Sequence, residues 1–236
     1  KASLNDLHAF AHLNSKIFVR TIDYPMLISF ITQLTTKVMS QKSVPDQVKA
    51  KYISGLTTDA IHTLEKSGFT SVDKVQKVGG ILVQLAANVE GFSDAMKILE
   101  SLPSSDSKHA MTTCLVSLMI AEEMKLSQSV VLEKIAMGAL LHDVGMKFIP
   151  QAIIDKPKHL WSPDELITYE QHPLKGSEML RDIKDIQMDV LMIVSEHHEN
   201  ALGTGYPKKM RDIKVSPLAK IVGVADYFAD LLFSMK

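Results

Sequence analysis

The chain has 236 residues, 46% of them hydrophobic and 22% charged, with 26 basic and 27 acidic side chains. That is enough apolar material for one large domain or two modest ones, and it excludes disordered, collagen-like and disulfide-scaffold classes. A net charge of −1 argues against DNA binding through a broadly basic surface, and no stretch approaches the roughly 18 apolar residues of a membrane span.

No signal peptide is legible at the start, and the lone Cys114 cannot form an internal disulfide. The expected location is therefore reducing and cytoplasmic. Nine histidines against one cysteine mean that any metal would be held by nitrogen and oxygen rather than sulfur.

Residues 1–100 carry 11 basic and 9 acidic side chains and read as a smaller, mostly helical accessory or sensory region. Residues 16–20 are β-branched and aromatic with charged ends, which suits a short strand. Apolar residues recur at helical spacing over 26–39, through Leu27, Phe30, Ile31, Leu34 and Val38. Residues 46–66 and 71–89 also read as helices, parted by a turn at Ser67-Gly68. The Ser-rich stretch 101–107 marks the boundary with a second region, 101–236, which holds 15 basic and 18 acidic residues and six of the nine histidines.

That second region reads as a run of helices. Residues 109–126 are apolar on one face, and Ser127 or Ser129 is expected to cap a following helix that runs to about His142. Ser162-Pro163-Asp164-Glu165 has the form of a capping box with proline at the first helical position. Pro173 and Gly176 frame another short helix to about Ile183. Residues 188–198 form a buried helix, and Ser216-Pro217 opens the last one. The class is mainly α.

Chemistry concentrates at two dipeptides, His142-Asp143 and His197-His198, each at the C-terminal end of an apolar helix. An isolated His-Asp pair is ordinarily a surface or capping pair. Here His109, His142-Asp143, His172, His197-His198 and Asp226 fall about one helix-plus-loop apart, so successive helices can aim them at one interior. Seven candidate ligands exceed the three or four of a single zinc site. They suit two cations that share a carboxylate and a water. Directly after the paired histidines comes Gly203-Thr204-Gly205-Tyr206-Pro207, whose glycines permit close backbone approach beside a rigid aromatic corner.

From about residue 109 to 233 the chain resembles an HD-GYP domain, a subgroup of the HD-superfamily phosphohydrolases. The resemblance is carried by His109, Leu141-His142-Asp143-Val144-Gly145, Ile149-Pro150, Lys156-Pro157, Leu160, Glu165, His172-Pro173, Gly176, His197-His198-Glu199, Gly203-Thr204-Gly205-Tyr206-Pro207 and Val224-Ala225-Asp226, in the family's order and spacing. It implies an all-helical HD-type bundle that hydrolyses cyclic di-guanylate (cyclic di-GMP). It also implies metal ligands at His109, His142, Asp143, His172, His197, His198 and Asp226, with Asp143 as the catalytic bridge. The implied cofactor is a pair of divalent ions, iron first and manganese second. A third ion in this family accompanies a glutamate four residues before the first histidine, and Ser105 stands there.

The implied substrate contacts are less regular. A lysine usually follows the Gly after the His-Asp pair, but here Met146 does, and Lys147 comes one residue late. Leu202 stands where an aspartate usually precedes the tripeptide loop. The basic residues and tyrosine that follow the last aspartate have no counterpart before Lys236, so the matching segment lies further on or the contacts are reduced. Lys147, Lys175, Gly205, Tyr206 and Pro207 are the expected substrate contacts. A basic loop, 203–220, with a local charge of +4, is the expected dock for a diguanylate cyclase domain or a solvated surface. The competing readings are a catalytically weak or inactive module that binds metal, nucleotide or a partner, and another HD-superfamily hydrolase acting on a phosphomonoester or nucleotide.

Overall fold

The computed structural model describes residues 21–41, 43–66, 72–89, 91–102 and 107–234. The strand expected at 16–20, the turn at Ser67-Gly68 and residues 103–106 of the expected boundary lie outside the described residues. The chain divides into two compact units, Lys1–Leu34 and Thr35–Lys236. The first unit, where described, consists of a 3-10 turn, Thr21–Asp23, and the start of helix α1, Tyr24–Ser40.

The second unit is a helical assembly. Helices α2 (Asp46–Lys66) and α3 (Asp73–Ala87) fall where the periodicity predicts them. Helix α4, Phe92–Ser101, was not anticipated. There follow α5 (Ser107–Glu123), α6 (Ser129–Leu141), a 3-10 segment Val144–Phe148 and the single turn α7 (Gln151–Ile154). The remaining helices are α8 (Pro163–Glu170), α9 (His172–Leu180), α10 (Met188–Glu196) and α11 (Pro217–Ser234). Among the described residues there is no strand, only an isolated antiparallel bridge between Leu202 and Arg211.

α6 is the axis of this unit. Its residues 135–141 are all buried, which only a helix covered on every side requires. α5, α10 and α3 pack against it, while α11 lies along α5 and α9 along α10. Leu115, Leu118, Ile135, Leu141, Leu180 and Ile193 form the fully buried centre.

Two helix starts test the sequence reading. At α8, Ser162 Oγ accepts from the Glu165 amide at 3.2 Å while Glu165 Oε2 accepts from the Ser162 amide at 2.6 Å, the expected capping box. At α6 the expectation fails. Gln128 is the extended residue before the helix and makes no side-chain cap, while Ser129 is already helical.

Candidate metal centre

Helix ends present most of the site. His142 is the C-cap of α6 and Asp143 follows it in the turn, while His197 caps α10 with His198 next. His172 opens α9, His109 lies in the first turn of α5, and Asp226 lies midway along α11. The carbonyl-rich C-termini of α6 and α10 favour positive charge beside His142-Asp143 and His197-His198, while His109 and His172 enter from N-terminal turns.

The seven side chains that the sequence singles out converge. Ligand atoms of Asp143, His172, His197 and His198 lie within 4.8 Å of one another, as do those of His109, His142 and Asp226. Asp143 stands between the two groups. Its Oδ1 is 3.2 Å from His172 Nε2 and 3.8 Å from His197 Nε2, while its Oδ2 is 3.3 Å from His142 Nε2 and 4.0 Å from His109 Nε2. Asp226 closes the second group, with Oδ1 2.8 Å from His109 Nε2 and 3.4 Å from His142 Nε2. Its Oδ2 is 3.7 Å from His198 Nδ1.

Three imidazoles are held the same way. His142, His172 and His197 donate Nδ1–H to the carbonyls of Ala139, Tyr169 and Val194 at 2.8, 2.9 and 2.9 Å. A carbonyl can only accept, so each Nδ1 carries a proton and each Nε2 is turned toward the site. The Nε2 atoms of His172 and His197 are buried without a hydrogen-bond partner, despite the nearby carboxylate. Two orphaned acceptors side by side are costly unless a cation takes up their lone pairs. The residues therefore fit divalent metal ions of the borderline class that accepts imidazole and carboxylate together.

Electrostatics point the same way. Burial pushes His197 well below its ordinary value, helped by the adjacent His198, and pushes His198 down to about 4 against the pull of Asp226. Both are neutral donors at neutral pH. For Asp143 and Asp226, burial acts to raise the pKa but neighbouring imidazoles outweigh it, holding both carboxyls well below the usual range. His142 is raised, because Asp143 and Asp226 outweigh the burial that would lower it.

Glycines bring the backbone segments together. A β-carbon on Gly145 would overlap the His172 carbonyl, one on Gly205 the His198 carbonyl, and one on Gly223 the His197 carbonyl. Gly205 thus backs the histidine pair, and Tyr206 packs its ring 4.5 Å from that of His198 at an interplanar angle of 34°. Pro207 follows through a cis peptide bond. Glu199 ties the loop down, accepting from the amides of Lys208 and Met210 at 2.6 and 2.8 Å. Buried Glu196 accepts from the Ser216 amide at the entrance to α11.

A cavity of about 670 Å³ opens beside the cluster, reaching His197, His198, Tyr206 and Asp226. Neither Lys147 nor Lys175 lines it. The 3-10 segment after Asp143 leaves Lys147 exposed, with Nζ 5.4 Å from the Phe148 ring centroid, and Lys175 is half-buried on α9. Residues that the sequence reading passed over do line it: Lys158, Tyr227 and Asp230. Tyr169, also overlooked, packs between Trp161 and His172 at ring separations of 4.7 and 5.0 Å. No motif singles these out. The position of Lys158 two residues after Lys156, inside a recognised stretch, is the nearest thing to a signal.

The HD domain family model matches residues 95–234. Curated relatives that carry the name cyclic di-GMP phosphodiesterase include proteins of Pseudomonas aeruginosa, Xanthomonas campestris and Thermotoga maritima. That of Pseudomonas aeruginosa is 30% identical over 148 residues, 61% of this chain and 35% of that one. A response regulator of Xanthomonas campestris is 38% identical over 116 residues, 48% of this chain and 30% of that one. The Thermotoga maritima protein is 38% identical over 110 residues, 46% of this chain and 29% of that one. The chain spans about a third of the length of these relatives. A solved HDG"Y"P protein from Bdellovibrio bacteriovorus has the same fold, with a TM-score of 0.74 over 90% of this chain and 70% of that one at 22% identity.

Proposed function

Because the chain belongs to the HD-domain family, we propose that its site hydrolyses a phosphodiester bond of cyclic di-GMP with two divalent cations, iron or manganese. One observation carries this reading: the two oxygens of Asp143 face two separate groups of imidazoles. His172, His197, His198 and Asp143 Oδ1 would hold one cation. His109, His142, Asp226 and Asp143 Oδ2 would hold the other. When bound, such ions supply an acidified water as nucleophile and positive charge for the phosphate oxygens.

The chain's own residues do the rest. The Nδ1 tethers keep His142, His172 and His197 in one orientation, so no reorganisation is needed on loading. Asp143 and Asp226 remain ionised, and the Tyr206 ring shields one side of His198 from solvent. The names of the curated relatives support cyclic di-GMP as the substrate. Exposed Lys208, Lys209, Arg211 and Lys214 give the 203–220 loop a basic face that suits an acidic partner such as a diguanylate cyclase domain.

A binding module without turnover is the second reading, and the absence of Lys147 from the cavity lining favours it. The two separate in one experiment. The chain is purified anaerobically under reducing conditions, its metal content is measured, and cyclic di-GMP is added with ferrous or manganous ion. Two metals per chain and release of linear dinucleotide are expected. Bound metal and bound nucleotide without cleavage would establish the module instead.

A further inference from the structure

Cyclic di-GMP carries two phosphodiesters, and only one can occupy the His/Asp cluster at a time. The second is left to the rest of the cavity, where a cation would favour it. The lysines expected from sequence do not line that cavity, and two others do: Lys158 and Lys220. Lys220 is engaged by Asp212 in a direct ion pair. Among the described residues no carboxylate lies within ion-pair distance of Lys158.

Lys158 is also unusually well placed for an exposed lysine. It opens the 3-10 turn Lys158–Leu160, and the segment around it is pinned from both ends. Trp161 Nε1 donates to the carbonyls of Ile153 and Lys156, both at 2.9 Å, and Lys156 Nζ bonds Glu165 at 2.8 Å. The Lys158 ammonium lies 5.1 Å from the centroid of the Tyr169 ring, which itself packs against His172 and Tyr206. The aromatic face holds the ammonium at the cavity wall without an ion pair, where the Asp230 carboxyl also senses its charge.

We infer that Lys158, seated on Tyr169, binds the second, non-reacting phosphate of the cyclic dinucleotide and so selects ring substrates over simple phosphodiesters. The inference rests on the phosphodiesterase reading above. A charge-assisted contact of this kind is worth on the order of tenfold in affinity or more.

Lys158→Ala, Lys158→Arg, Lys147→Ala and Lys175→Ala are compared with the parent chain, each assayed for metal content. KM is measured for cyclic di-GMP and for bis(p-nitrophenyl) phosphate, which has a single phosphodiester, and Kd for a non-hydrolysable phosphorothioate analogue of cyclic di-GMP. Lys158→Ala should raise KM and Kd for the cyclic compounds about tenfold, with a shallower salt dependence. Metal content and the KM for bis(p-nitrophenyl) phosphate should stay at parental values, and Lys158→Arg should restore most of the affinity. An unchanged KM for cyclic di-GMP in Lys158→Ala, beside an active parent, overturns the role of Lys158 alone. Equal losses on both substrates overturn it too, since they would mean a general effect on the site. A parent that neither binds nor cleaves cyclic di-GMP overturns both readings.

Discussion

Three imidazoles of the site each use one nitrogen on the backbone and leave the other to the cluster. His142, His172 and His197 sit on different helices, yet each tethers Nδ1 to the carbonyl three residues earlier. This repetition was invisible in the sequence, because it depends on where each helix ends and not on residue type. The convergence of these His and Asp side chains was legible, since helical spacing repeats them from one element to the next. Asp143 is the residue on which both halves depend. Asp143→Ala should leave at most one tightly held metal per chain, read by elemental analysis, and lower turnover at least about 100-fold. Retention of both metals would remove the bridge from the account.

At the level of elements, the capping box of α8 was readable because Ser162, Pro163 and Glu165 each act locally. Ser162→Ala should cost about 1 kcal/mol, measured by denaturant unfolding. Glu165 adds a pH signature. Its carboxyl is held below the ordinary value, first by the Lys156 ammonium and then by the Ser162 amide. A depressed carboxylate stabilises the fold at neutral pH, and that contribution fades as pH drops below about 4.3, the ordinary glutamate value. The Tm difference between the parent and Glu165→Gln should therefore shrink in acid. A difference independent of pH would mean that the pair is not what holds this turn.

Helix α4 shows the opposite case. Ala95, Ile98, Leu99 and Leu102 are buried at helical spacing, a pattern present in the sequence but masked by Gly91 on one side and the Ser-rich stretch on the other. Turn residues flanking a short helix conceal it. The α6 cap failed for a different reason: two serines flank a glutamine, and it is Gln128, extended and without a side-chain cap, that precedes the helix, whose exposed first turn gives no packing signal either.

On the scale of the whole chain, helix content and the buried α10 followed from the hydrophobic pattern, whereas the cavity's lysine did not. Lys147 is adjacent to the site in sequence but does not line its cavity, while Lys158 is fifteen positions beyond Asp143 and does. No described helix is long and apolar enough to cross a membrane. Bound cations should stabilise the unit that holds them. With free metal at 100 times Kd the linkage is about 2.7 kcal/mol, so chelation should lower Tm by roughly 5–11 °C for a chain of this size. Scanning calorimetry with and without chelator measures this, and an unchanged Tm would show that the cluster binds no metal tightly.

The glycines behind the histidines carry one more implication, for how much this protein can change. Gly145, Gly205 and Gly223 let peptide planes abut directly, so the spacing of the imidazoles is set by main chain against main chain rather than by interchangeable apolar side chains. A conventional core absorbs Leu-to-Met or Ile-to-Val exchange with little loss, because neighbouring side chains can give way. A carbonyl cannot. In a saturation library sorted on metal retention, these three positions should accept almost nothing but glycine, while Leu115, Leu118 and Ile193 tolerate a range of hydrophobic replacements. The mutational freedom of the chain is thus divided unevenly, with the rigid part concentrated in residues that have no side chain at all.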